Sequence, residues 1–277
     1  MKSIVKSIFV TNHINEEFIE LHTSGLANRV FATQNYILRI PTDHEEAQND
    51  ARTESIAAPV AKNHGIITPK LIKYDDSCSL LDRSYSIWER IHGQSVDQIN
   101  DKYEHKEIWT TLGFELGLLH TRVKECSDPN GWLDSPERDY TKSSLLAAIP
   151  DSTNSSKLVL KINDLYGSIR NNINKVFVHG DTHEGNIMCT NIYQYSGLID
   201  WGDSGWAEPA IDFYMIPYQV IDAVLKGYKT VNGITVDKSF LNQLILDKIW
   251  KMLDDNIPVD MIYSVINDLE RKINEEI

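Results

Sequence analysis

The stretch His179-Gly180-Asp181-Thr182-His183-Glu184-Gly185-Asn186, followed by Ile199-Asp200-Trp201, constrains this chain more than any other. The apolar, β-branched run Lys175-Val176-Phe177-Val178 predicts a short strand that delivers a polar loop. Ile187-Met188-Cys189 is expected to continue that strand, and Gln194 to Ile199 to form the second arm of a hairpin, with Thr190 and Asn191 in the turn. Gly180 and Gly185 allow the backbone to turn sharply or to pass close to a ligand. The fold must therefore bring one loop and one hairpin end together.

Asp181, Asn186 and Asp200 have the order and spacing of a phosphoryl-transfer site. That chemistry asks little covalent work of a protein and much management of charge. Magnesium prefers hard oxygen donors, and a carboxylate from Asp200 with the amide oxygen of Asn186 supplies two while leaving places for water and phosphate oxygens. Asp181, left off the metal, can orient an acceptor hydroxyl or amine and take its proton. His179 is expected to pack and hydrogen-bond beneath the loop. His183 beside Glu184 suggests zinc, but no further His or Cys falls at ligand spacing.

Those residues, with Leu198-Ile199-Asp200-Trp201-Gly202-Asp203-Ser204-Gly205-Trp206-Ala207-Glu208-Pro209-Ala210-Ile211-Asp212-Phe213, resemble the aminoglycoside phosphotransferase and choline kinase family. The family's metal-binding Asp is followed by a Gly-x-Pro-x-x-Asp run; here Ala207 stands where a Gly often precedes the Pro by two. The resemblance implies an α+β, two-lobed, protein-kinase-like fold, with a small β-rich N-lobe and a larger, mainly helical C-lobe. Boundaries are expected at 1–92 for the nucleotide-binding lobe, with a hinge near 88–93, and 93–277 for the catalytic and acceptor-binding lobe. Asp212 is expected to hydrogen-bond backbone amides of the catalytic loop.

The same resemblance places the nucleotide. Leu21 to Thr33 resembles the family's loop between two strands, with Asn35 to Pro41 as a third; one Gly in the turn leaves phosphate contacts to loop amides and Ser24. Arg39 stands where related kinases put a Lys that grips phosphate, and Glu54 on the following helix is its expected partner. Tyr85 to Gly93 looks like the hinge, with the carbonyl of Glu89 and the amide of Ile91 holding the base and Ile37 and Ile199 sandwiching it.

Beyond the site, apolar residues recur at helical spacing from Lys106 to Lys124, and helices are expected over 214–226, 239–254 and 259–275. The last three are expected to wall an acceptor cleft with Asp203, Glu208, Asp254, Asp255, Asp260, Asp268, Glu270, Glu275 and Glu276. A net charge of −13 suits a cationic acceptor and argues against nucleic acid. Three widely spaced cysteines suggest neither disulfides nor a metal cluster, and point to a reducing cytoplasm. The first ten residues are too short for a secretory segment, and no run is apolar enough to span a membrane.

The expected activity is transfer of the γ-phosphate of ATP or GTP, with Mg2+, to a small acceptor by a monomer or homodimer. An aminoglycoside-type or other antibiotic leads, and choline, thiamine, homoserine or a sugar is the metabolic alternative. An inactive nucleotide-binding module ranks below, since the base and both metal ligands are present. A metal-dependent hydrolase using His179, Asp181 and His183 is a further rival. A protein kinase is disfavoured because the chain runs directly from Asp200 to Gly205 and Pro209, with no activation segment.

Overall fold

The structure, a computed structural model, describes residues 1–21, 27–169 and 174–275. Helix α1 (Lys2–Thr11) precedes strands β1 (Ile19–Leu21), β2 (Asn28–Ala32) and β3 (Tyr36–Pro41). Helix α2 (Ala47–Asn63) then leads to β4 (Leu71–Asp75) and β5 (Tyr85–Glu89). These strands form one antiparallel sheet in the order β1-β2-β3-β5-β4. Alternation along β3 sends Leu38 and Ile40 to a core with Phe31, Tyr85 and Ile87, and Ile37 and Arg39 to the opposite face.

The start of the chain, expected to be nondescript, is an amphipathic helix. Val5, Ile8 and Phe9 recur at three- and one-residue steps on one face and close the sheet's core, with Phe9 5.6 Å from Phe18.

Past the sheet come β6 (Gln94–Ser95), α3 (Lys106–Arg122), α4 (Lys142–Ala147), α5 (Ser155–Gly167), β7 (Val176–Val178), β8 (Ile187–Cys189), β9 (Tyr195–Leu198) and β10 (Gly205–Ala207). Helices α6 (Ile221–Lys229), α7 (Lys238–Asp254) and α8 (Val259–Glu275) follow. Ile108, Trp109, Leu112, Leu116 and Leu119 of α3 are buried in the larger core, as their spacing requires. Helices α3 and α6 touch backbone to backbone: a Cβ at Gly113 would lie 1.9 Å from the Val224 carbonyl oxygen, and one at Gly227 1.8 Å from that of Thr110.

Two local expectations need correction. β8 does not continue β7: β7 pairs with β10, whereas β8 joins β6 and β9, so the loop crosses between two small sheets. The helix expected from Tyr214 begins only at Ile221, after 3-10 turns at Pro209–Phe213 and Tyr218–Val220. Pro217 explains the break, because a proline disfavours helical backbone in the residue before it and removes a donor. The result is a small antiparallel sheet lobe beside a mainly helical one, the two-lobed α+β kinase-like arrangement.

Candidate active site

A cavity of about 780 Å³ lies between the sheet and the hairpin region. Ile37, Arg39, Glu54, Glu89, Ile91, Asp181, Asn186, Ile199 and Asp200 all line it, together with Trp88, Arg90 and Gly93. Ser24, expected to contact phosphate, lies outside the described residues.

The loop after β7 is held from below. Asp212, fully buried, accepts from the amide of His179 at 3.0 Å and that of Gly180 at 2.8 Å, and from His120 Nε2 at 3.0 Å. Burial opposes its charge, yet His120, His179 and the amide of Gly180 outweigh that and hold the carboxyl below its ordinary value. His120 Nδ1 meets the Tyr228 hydroxyl at 2.7 Å, and His179 Nε2 meets the Ile199 carbonyl at 3.0 Å. Burial depresses the His179 pKa, so this ring packs and hydrogen-bonds beneath the loop as neutral imidazole. At Gly180, with φ near +91°, a Cβ would fall 2.1 Å from the Asp203 carbonyl oxygen; only glycine fits there.

Above this floor, Asn186 Nδ2 donates to the Asp181 carbonyl at 2.9 Å and to Asp181 Oδ2 at 3.0 Å. His183 Nε2 stands 3.4 Å from Asp181 Oδ2, while its Nδ1 accepts from the Gly185 amide at 3.0 Å. That acceptance puts the ring proton on Nε2, facing Asp181. Burial raises the Asp181 pKa, but His183, His179 and Asn186 overcome it and keep the carboxylate ionised below its usual range. In return, the hydrogen bond to Asp181 raises the His183 pKa.

Asp200 sits in left-handed backbone, φ near +67°, just beyond β9. Arg39 ties it to the sheet: one guanidinium nitrogen reaches Asp200 Oδ1 at 2.7 Å and the other pairs with Glu54. Burial works against the Arg39 charge, but Asp200 and Glu54 raise its pKa overall. Burial pushes Glu54 up to about 7 against the pull of Arg39.

The donor set fits magnesium. Asn186 spends its Nδ2 hydrogens on Asp181, so its amide oxygen remains a hard donor, and Asp200 Oδ2 is not the oxygen that Arg39 engages. No group of three His, Cys, Asp or Glu that could hold a metal ion occurs among the described residues.

Several of the acids expected to wall an acceptor cleft have partners of their own, and the Glu275 side chain and Glu276 lie outside the described residues. Asp254 and Asp255 pair with Lys251, Asp268 with Arg271 and Lys272, and Glu270 with Lys161. Asp260 accepts from Asn154, and Glu208 pairs with Arg138. Asp203 alone of the described residues in that set packs beside the loop; burial and the charges of Asp181, Asp50, Asp134 and Asp200 push it to about 7. Asp50 of α2, unmarked by any motif, rises to about 6 through burial and its acidic neighbours Asp200 and Glu46. Asp254 and Asp268 sit on solvated faces of α7 and α8 within reach of lysines or arginines, whereas Asp247 of α7 is buried against Arg138.

With this geometry in hand, comparison with known proteins is decisive. The sequence model of the phosphotransferase enzyme family matches residues 19–230. The chain belongs to that family. Among solved structures, a variant aminoglycoside 2'-phosphotransferase-IIIa in complex with GDP is similar at a TM-score of 0.63 and 15% identity, over 99% of this chain and 98% of that one. A spectinomycin phosphotransferase in complex with ADP and its antibiotic aligns at 0.59 and 17%, covering 92% of this chain and 85% of that one. A choline/ethanolamine kinase family protein from Mesorhizobium loti aligns at 0.57 and 14%, covering 98% and 94%. Such low identities speak for the shared fold. No curated protein matches the chain. No helix among the described residues of this phosphotransferase family member is long and apolar enough to cross a membrane.

Proposed function

We propose that this protein transfers the γ-phosphate of ATP or GTP to a hydroxyl, or amine, of a small acceptor. The observation that carries the reading is that one cavity is lined by Asp181, Asn186, Asp200 and Arg39 and also by the hinge residues Trp88, Glu89, Arg90, Ile91 and Gly93. The nucleotide base sits between Ile37 and Ile199, against backbone of Glu89 and Ile91, in an apolar slot with few directed polar groups. Arg39, braced by Glu54, turns toward phosphate oxygens. The magnesium ion held by Asn186 and Asp200 supplies positive charge for the phosphate oxygens.

Asp181, kept ionised by His183 and anchored by Asn186, orients the acceptor group and takes its proton. Asp212 and His120 keep the loop's amides in place while this occurs. The acidic surroundings of Asp203 and Asp50 favour an acceptor that carries positive charge, of aminoglycoside type or another antibiotic. A metabolic amine alcohol such as choline is the second reading, favoured by the likeness to a choline/ethanolamine kinase family protein.

The test is a screen of the purified protein with magnesium and ATP or GTP against aminoglycosides, macrolides, choline, thiamine, homoserine and sugars. Nucleotide consumption and the mass of an added phosphate are read together. A phosphorylated product is expected for one acceptor class. Magnesium-dependent nucleotide binding with no product across the panel would leave an inactive binding module, and turnover without nucleotide would point to a hydrolase.

A further inference from the structure

Lys248 is a lysine on the inner face of α7, only 2% exposed, and nothing in its sequence neighbourhood marks it for a role. Its ammonium donates to three backbone carbonyls: that of Phe213, that of Tyr214 at 2.9 Å and that of Ile216 at 2.5 Å. Burial pulls its pKa down to about 7, and in the protonated form all three of its donors are used. Its sequence neighbour Asp247 is engaged elsewhere, by Arg138, by the Tyr140 hydroxyl at 2.6 Å and by Gln243 at 3.1 Å. The ammonium is thus held by carbonyl dipoles that follow a 3-10 turn, of which that of Phe213 also accepts from the Ile216 amide at 3.3 Å.

That turn, Pro209–Phe213, carries Asp212. The carbonyls that Lys248 gathers begin one residue after the carboxylate that receives the amides of His179 and Gly180. A methionine of similar length would avoid the cost of burying a cation but would take one donor from each of the three carbonyls. Lysine is therefore explained by the turn it fastens rather than by the burial of its stem.

We propose that Lys248 is a positioning residue for phosphoryl transfer: seated on the carbonyls of Phe213, Tyr214 and Ile216, it fastens the turn that presents Asp212 to the amides of the catalytic loop. The assignment rests on the kinase reading for its consequence in turnover, and on geometry alone for its consequence in the loop.

The experiment uses the full chain with magnesium and ATP or GTP and no acceptor, reading slow release of nucleoside diphosphate, so no acceptor need be known. Lys248→Met is compared with Leu244→Ala, which opens a cavity in the same helix one turn earlier without touching the carbonyls. In folded Lys248→Met, kcat falls about tenfold or more while KM for nucleotide changes by less than about twofold, because the loop is misaligned and the nucleotide slot is intact. Backbone hydrogen exchange over residues 179–182 quickens in the same variant. Leu244→Ala melts at lower temperature yet keeps its kcat below that melting point. A Lys248→Met kcat within about twofold of the parent, or an equal loss in Leu244→Ala at the same folded fraction, overturns the proposal.

Should Lys248→Met fail to fold, Lys248→Leu, which is apolar and supplies no donor, replaces it; parental turnover in that folded variant is equally fatal. If the parent hydrolyses neither nucleotide, the kinase reading is left to the acceptor screen and turnover does not bear on Lys248. Exchange at 179–182 then decides: unchanged protection in the variant refutes the positioning role, and faster exchange upholds it.

Discussion

At the scale of single residues, the site couples the Asp181 carboxylate to an imidazole. His183 carries its proton on Nε2 toward Asp181, and its pKa is raised above 6.5 by that hydrogen bond. While His183 is charged it lowers the basicity of the Asp181 carboxylate, to which its Nε2–H donates in either state. The kcat profile should therefore rise with pH through the raised His183 value, and His183→Asn should remove or shift that limb to lower pH. A group raised on folding adds stability below its unfolded pKa and loses it as pH climbs through the folded one. The pair's contribution to melting temperature should accordingly fade above pH 6.5. Asp181→Ala should lower turnover by about 10²–10⁴-fold with the fold intact, read by kcat and circular dichroism; near-parental turnover would remove the base assignment. Gly180→Ala should cost about a hundredfold in kcat, because its Cβ meets the Asp203 carbonyl and displaces the loop. Asp181, Asn186 and Asp200 were legible in the sequence because a loop of fixed length largely sets their separation. Lys248, Asp50 and the orientation of His183 were not, since each acquires its neighbours from a distant segment or from a ring tautomer.

At the scale of elements, strong periodicity translated directly into structure. The apolar spacing of α3, α7 and α8 matched their observed spans within a residue or two at each end. The helix expected at Tyr214 failed because Pro217 interrupts it, and the interruption matters: it leaves free carbonyls for Lys248. Helix α1 went unread because its pattern is only ten residues long and begins with lysines, features shared with many exposed starts. Its role is to cover the sheet of the smaller lobe. Phe9→Ala should destabilise the protein by about 3–5 kcal/mol, measured by denaturant unfolding, since the ring is 1% exposed and packs on Phe18. A loss under about 1 kcal/mol would show that α1 does not belong to the core.

At the scale of the molecule, loop 128–136 joins the two lobes. Thr53 of α2 donates to the Trp132 carbonyl, Trp132 meets Tyr74 edge-on at 6.2 Å, and Asp134 bridges to Gly205 next to the metal-site hairpin. The net charge of −13 acts over the whole surface. For a cationic acceptor, KM should rise as salt goes from about 0.01 to 0.15 M while kcat holds, because screening shortens the reach of that field. A KM independent of salt would mean that the acceptor is neutral or recognised at short range. The sequence by itself determined the kind of fold and the family likeness, and it named the trio proposed to handle phosphate and proton, because motif spacing and hydrophobic period are properties of neighbouring residues. Only the tertiary structure decided which acids stand at the site, which are spent on surface lysines and arginines, and which helices reach beneath the catalytic loop. Those outcomes depend on how separate segments pack, and charge alone does not distinguish a carboxylate facing a base from one facing water.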